Sequence, residues 1–197
     1  QGPDPSSAGI ERFMTMCAGD AFVVAQPPTP APYFHLLRRH SLGEEHRPLI
    51  VFTPKSMLKR KEAASQPEDF TTGSFQGLIG DRVEDPEAVE TLLLCSGRIT
   101  WDLVKQRGTM DDGNRFAIAR VERLYPSPDD LLREELAKYP NLKQVRWVQD
   151  EPANMGAWPY YALNVWPELD IDVQLVSRPA SSSPAVGTAK RHQEEQR

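Results

Sequence analysis

Apolar residues along this chain alternate between two rhythms, and each change of rhythm marks an element. Ile10, Phe13, Met14, Cys17 and Ala18 recur at i, i+3, i+4, i+7 and i+8, one face of a helix, with Ser6 or Ser7 available as its cap. Ala21 to Ala25 is a short apolar run ended by Gln26-Pro27-Pro28 and predicts a buried strand. Pro30-Ala31-Pro32 opens a second helix, Tyr33 to His40, because proline is tolerated in a first turn. Leu49 to Phe52 is another short strand, stopped by Pro54. From Lys55 to about Pro86 the chain is polar without a sustained period, which predicts a connecting segment with only short local structure.

Three strand–helix repeats follow. Thr91 to Cys95 predicts a strand, Ser96-Gly97 a turn, and Thr100 to Arg107 a helix. Phe116 to Val121 predicts the next strand, with Tyr125-Pro126-Ser127-Pro128 as the turn after it. Ser127 and Asp130 have capping-box spacing, with Pro128 as the first helical residue of a helix that runs to about Tyr139 and buries Leu131, Leu132 and Leu136. Val145 to Val148 and Val173 to Val176 complete the strands, and the segment after Ser177 is rich in Ser, Ala and Pro, then charged. Short continuous apolar strands alternating with helices imply an α/β fold with a mostly parallel sheet covered on both faces. Ligands of such sheets favour loops beyond the carboxyl ends of the strands. Here those are Ser96-Gly97, Arg123 to Pro128 and Gln149 to Trp158.

Composition narrows the function classes. The 197 residues are 39% hydrophobic and 26% charged, ordinary values for a globular chain, and the net charge of -5 disfavours a generic nucleic-acid surface. No apolar run approaches the roughly 18 residues of a membrane span. Cys17 and Cys95 sit in apolar settings and read as two buried thiols in a reducing cytosol. His35, His40, His46 and His192 make no zinc-like pattern. His35, among Phe34, Leu36 and Leu37, reads as a packed, hydrogen-bonded histidine. Asp150-Glu151 reads as a pair that orients backbone, Trp147 and Trp158 as core or dimer contacts, and Lys59-Arg60-Lys61 as a solvated charge run. The sharper reading of that basic run is the border of an anion-binding cleft.

Four stretches, in order, carry a resemblance to a known family. They are Gln1-Gly2-Pro3-Asp4 with Ser6-Ser7, then Tyr33-Phe34-His35-Leu36-Leu37-Arg38-Arg39, then Pro54-Lys55-Ser56-Met57-Leu58, then Trp147-Val148-Gln149-Asp150-Glu151-Pro152-Ala153-Asn154-Met155-Gly156-Ala157-Trp158. With the ending Arg178-Pro179-Ala180 through Val186-Gly187, the chain resembles the C-terminal part of the decarboxylating component of 2-oxoglutarate dehydrogenase. The second and fourth stretches look specific to that branch, against transketolases and pyruvate-using components. The resemblance implies the end of a thiamine diphosphate-binding pyrimidine domain over residues 1–56, a linker over 57–88, a transketolase C-terminal-like domain over 89–187 and a tail over 188–197. A chain opening Gln-Gly-Pro-Asp reads as a piece of something longer.

The reaction so implied is decarboxylation of 2-oxoglutarate on thiamine diphosphate with magnesium, then transfer of the succinyl group to a lipoyl arm. The implied partners are a second copy of the chain and a lipoyl-bearing succinyltransferase component, in a bacterial cytoplasm. The Gly-Asp-Gly…Asn pattern that holds magnesium and diphosphate is expected upstream, so this segment alone is expected to be inactive. Family members carry histidine where this chain has Pro5, and proline cannot donate or transfer a proton. Gly9 stands where arginine is usual. A divergent substrate role, an inactive paralogue and an error in the sequence are the readings of Pro5, and a non-catalytic dimerisation or regulatory module is the competing function. Some bacterial relatives bind acetyl-CoA between the two domains through the second arginine of the Leu-Leu-Arg-Arg helix, which Arg39 matches, and through basic residues after the Pro-x-Pro turn. This chain has Asp129-Asp130 there, with Arg123 on the same loop to offset them, so an acetyl-CoA or nucleotide effector pocket at Arg39 and Arg123 is expected to respond weakly.

Overall fold

The computed structural model describes residues 8–44 and 46–184. Pro5, Ser6, Ser7 and His192, all singled out above, lie outside them. The strands are β1 (Val23–Ala25), β2 (Leu49–Val51), β3 (Leu78–Ile79), β4 (Thr91–Cys95), β5 (Phe116–Val121), β6 (Arg123–Tyr125), β7 (Gln144–Pro152) and β8 (Val173–Arg178). The helices are α1 (Ile10–Met14), α2 (Pro30–Leu42), α3 (Pro67–Thr71), α4 (Ile99–Arg107), α5 (Asp129–Ala137), α6 (Trp158–Asn164) and α7 (Trp166–Leu169).

The larger sheet has the order β3-β5-β4-β7-β8. All its pairings are parallel except that of β3 with β5. The alternation of side chains along β4 shows why it is covered twice. Leu92 and Leu94 point into the main core with Ala117, Ala119, Val145 and Trp147, packed on α1, α5 and α6, whereas Cys95 faces the other way with Ile118 and Val148 and meets Ile99 and Leu103 of α4. The smaller sheet, β2-β1-β6, joins β1 and β2 in parallel and adds β6 antiparallel. The sequence pattern predicts a loop from Arg123 to Pro128 here, with its turn at Tyr125 to Pro128. Arg123 to Tyr125 instead continues from β5 after Glu122, so one polypeptide run stitches the two sheets together.

Several local expectations need correction. The first helix does not continue to Ala18: beyond Met14 the amides of Met16 and Cys17 bond the third residue back, and the Thr15 hydroxyl donates to the Arg12 carbonyl at 2.9 Å. Ile10, Met14 and Cys17 stay buried together although the helix has ended. The residue at the N-cap position of α1 is Gly9, with no side-chain cap. The capping box at Ser127 does not form. Pro128 is the N-cap of α5, and the Ser127 hydroxyl bonds the Asp129 carboxylate instead of a backbone amide. Of the three leucines in α5, Leu132 is fully buried, while Leu131 and Leu136 pack half-buried against the core. The polar connecting segment ends in β3, and its Phe75 is buried against Ala25 and Leu36.

Candidate functional site

The strands of the larger sheet set up a point where ligands of parallel sheets commonly bind. From β4 the chain moves to β5 on one side and later to β7 on the other, so the order reverses at the carboxyl end of β4. This crevice is filled by the protein itself. Gln26, at the exit of β1, accepts a hydrogen bond from the Ser96 hydroxyl at 2.9 Å, and its amide N–H donates to the Glu122 carbonyl at 2.8 Å. Gly97, at φ +69°, allows that approach: a Cβ there would stand 2.7 Å from the Gln26 side chain. Beneath it lies Glu122, fully buried, with one carboxylate oxygen accepting from Arg120 Nε and the other without a hydrogen-bond partner. Burial pushes the Glu122 carboxyl up to about 7, against the opposing pull of Arg120.

The loop after β7 is closed in another way. The Gln149 side chain is the hub: its oxygen accepts from Trp147 Nε1 at 2.9 Å and from the Trp158 amide at 3.3 Å. Its nitrogen donates to the carbonyls of Glu151, Pro152 and Met155. Asp150 pairs with Arg98, which also pairs with Asp102, and Arg60 of the connecting segment reaches Asp102 at 3.2 Å. Arg60 is therefore tied to α4, while Lys59 and Lys61 are exposed. The main-chain carbonyl of Asp150 accepts from Arg178 Nε at 3.0 Å, while its carboxylate pairs with a side chain, Arg98. Burial, then Asp150 and Glu11, raise the Glu151 carboxyl to about 7. Trp147 is core, stacked on Tyr161 with ring centroids 5.0 Å apart. His35 is also packed, its Nε2 2.7 Å from the Asp69 carbonyl, as its apolar neighbours suggested. Both cysteines are free, buried thiols.

The remaining strand-end loop is different. Between α2, the smaller sheet and the Pro126 turn lies a cavity of about 270 Å³ floored by Leu36 and Phe75. Arg39, His40 and Arg47 line it with Arg123, against a single carboxylate, Glu44. The two arginines singled out from the sequence, 84 residues apart in the numbering, are thus brought to one wall. Arg123 donates through Nε to the Pro126 carbonyl at 2.8 Å, which fixes its guanidinium plane. Burial and the nearby Arg39 charge both lower its affinity for its proton, so the wall carries positive charge that an anion would relieve. Asp129 and Asp20 act on Arg123 in the opposite sense. Asp20 also pairs with Arg47 at 3.4 Å. Sequence reasoning missed Gln26, Glu122 and the Gln149 hub.

Among the described residues no group of three or more His, Cys, Asp or Glu side chains could hold a metal ion. No described helix is long and apolar enough to cross a membrane.

A family model described as "2-oxoglutarate dehydrogenase C-terminal" matches residues 64–197. The 2-oxoglutarate dehydrogenase E1/E2 component of Corynebacterium glutamicum is 50% identical over 202 residues, covering 100% of this chain and 16% of the relative. The multifunctional 2-oxoglutarate metabolism enzyme of Mycobacterium sp. (strain KMS) is 46% identical over 207 residues, with the same two coverages. The 2-oxoglutarate dehydrogenase E1 component of Cupriavidus necator is 42% identical over 200 residues, covering 100% of the chain and 21% of the relative. The chain therefore spans between 16% and 21% of the length of these relatives.

Proposed function

The chain belongs to the 2-oxoglutarate dehydrogenase family, and on that premise we propose that it forms part of a cytoplasmic component that decarboxylates 2-oxoglutarate and passes the succinyl group to a lipoyl arm. What supports this is the identity of 42% to 50% over the whole chain to proteins named for that substrate. Thiamine diphosphate would supply the carbanion chemistry in the complete protein. The magnesium and diphosphate ligands would come from the part of the complete protein that precedes this segment. The part of the fold seen here serves assembly and regulation: residues 1–56 as the end of a pyrimidine domain, 57–88 as linker and 89–187 as a transketolase C-terminal-like domain of a homodimer. The test is turnover. The complete protein with thiamine diphosphate and magnesium should decarboxylate 2-oxoglutarate, and the 197-residue chain alone should neither turn over nor bind the cofactor. Tight, magnesium-dependent cofactor binding by the chain alone would refute this division of labour.

The Arg39–Arg123 cavity is the effector pocket in this reading. Its ligand is an anion of the acetyl-CoA or nucleotide class, because guanidinium groups pair with phosphate oxygens in two-point contacts. Asp129, which acts on Arg123 electrostatically, weakens the response. Acetyl-CoA should activate the complete protein little, and an Asp129→Arg, Asp130→Arg double variant more. Strong activation of the unmodified protein that is lost in Arg39→Ala would show that the two aspartates do not oppose the ligand.

A further inference from the structure

Gly156 is buried in the loop after β7 and takes φ +73°, so its amide N–H needs a partner inside the protein. That partner is not on the loop. It is the Glu11 carboxylate of α1, whose Oε2 accepts from the Gly156 amide at 3.0 Å across 145 residues of sequence. The other oxygen, Oε1, occupies space that a side chain at position 9 would need: a Cβ on Gly9 would lie 1.9 Å from it. Gly9 itself has φ -69° and ψ 135°, a conformation open to any residue, so its glycine is not required by the backbone. The required feature is the empty volume.

We propose that Gly9 and Glu11 act as one unit, a clasp in which the missing side chain at position 9 lets the Glu11 carboxylate hold the Gly156 amide and so position the loop after β7 against α1. A larger residue at position 9 drives the carboxylate off Gly156. Because Glu11 ends in a flexible side chain, it swings away without breaking the core. The charge matters as well as the bond, since Glu11 helps to hold the neighbouring Glu151 carboxyl high, after burial and Asp150 and against Arg178. The role in turnover rests on the family reading above. There Glu11 is a positioning residue, because the clasp fixes α1 to the loop after β7.

The experiment is residue-resolved amide exchange on the complete protein, with turnover on 2-oxoglutarate measured in the same samples. Glu11→Ala should speed exchange at Gly156 on the order of 10- to 100-fold, the range for losing a hydrogen bond to a charged acceptor. Gly9→Ala should do the same, and the double variant should be no faster than either single one, because both remove one contact. Glu11→Gln keeps an acceptor oxygen and should retain protection and turnover, while the Glu151 carboxyl titrates lower, a change that a merely structural peg would not cause. Unchanged Gly156 exchange in Glu11→Ala, or additive effects of the two alanines, would overturn the clasp. Exchange that follows the clasp in protein that never turns over 2-oxoglutarate would leave the clasp standing and refute the family reaction instead. Faster exchange with turnover unaltered in both alanine variants would overturn the positioning role.

Discussion

The loop after β7 lies at the carboxyl end of a parallel strand, the cavity lies beside the antiparallel β6, and their polar groups differ in state. In the first, one glutamine side chain makes five hydrogen bonds, Glu11 accepts from the Gly156 amide, and Asp150 is paired with Arg98. In the second, Arg39 and Arg123 line a shared space of about 270 Å³, where burial and then the Arg39 charge disfavour the charge of Arg123. The difference teaches that topology alone does not choose a binding site. A loop whose buried polar groups are answered by the chain itself is scaffold, whereas cations lining a cavity leave room for an anion. The switch-point crevice at β4 belongs with the scaffold, because Gln26 occupies it.

The sharpest way to break this contrast is to undo the satisfied loop. Gln149→Leu strands Trp147 Nε1, the Trp158 amide and three carbonyls, each at about 1–3 kcal/mol when buried, so urea unfolding should show a loss of about 3 kcal/mol or more. A loss below about 1 kcal/mol would mean that water answers those groups and that the loop is no more closed than the cavity.

A second probe uses Glu122 beneath the crevice. Its carboxyl is raised in the folded protein to about 7 from an ordinary 4.5, chiefly by burial. A carboxyl with a raised folded value favours the protonated fold. Its stabilising contribution is therefore complete below about 4.5 and gone once the pH has risen through about 7. Across that window Glu122→Gln should flatten the fall in stability, since the amide supplies the hydrogen permanently. Glu151 titrates over a similar range and should leave a residual slope. An unchanged slope in Glu122→Gln would place the titration elsewhere.

The smallest effect is expected at Arg60. Its pairing with Asp102 at 3.2 Å joins side chains that are 36% and 38% exposed, so solvent screens it and Arg60→Ala should lower stability by roughly 0.2–1 kcal/mol in chemical denaturation. A larger loss would show that the ion-pair chain from Arg60 through Asp102 and Arg98 to Asp150 behaves as one buried network.

Much of this contrast can be read along the chain, and the unread part has identifiable causes. The alternation of Leu92 and Leu94 with Leu93 and Cys95 yields a doubly covered strand because both faces of β4 are buried. Arg39 and Arg123 were legible through resemblance and meet in one cavity. By contrast β3 and β6, of two and three residues, are too short to show a period, and their place is fixed by antiparallel partners far away in sequence. Ser127 has capping-box spacing, but the nearer Asp129 carboxylate captures its hydroxyl. Glu11 and Gly156 are ordinary residues in the sequence, and only folding places them 3.0 Å apart.

The most direct test of the central claim is an acetyl-CoA titration of the complete protein, observed at the Arg39 and Arg123 side chains and at the backbone of residues 149–158. The account predicts saturable perturbation at the two arginines, lost in Arg39→Ala, while residues 149–158 stay unperturbed. Perturbation centred on residues 149–158, or binding indifferent to Arg39→Ala, would contradict it.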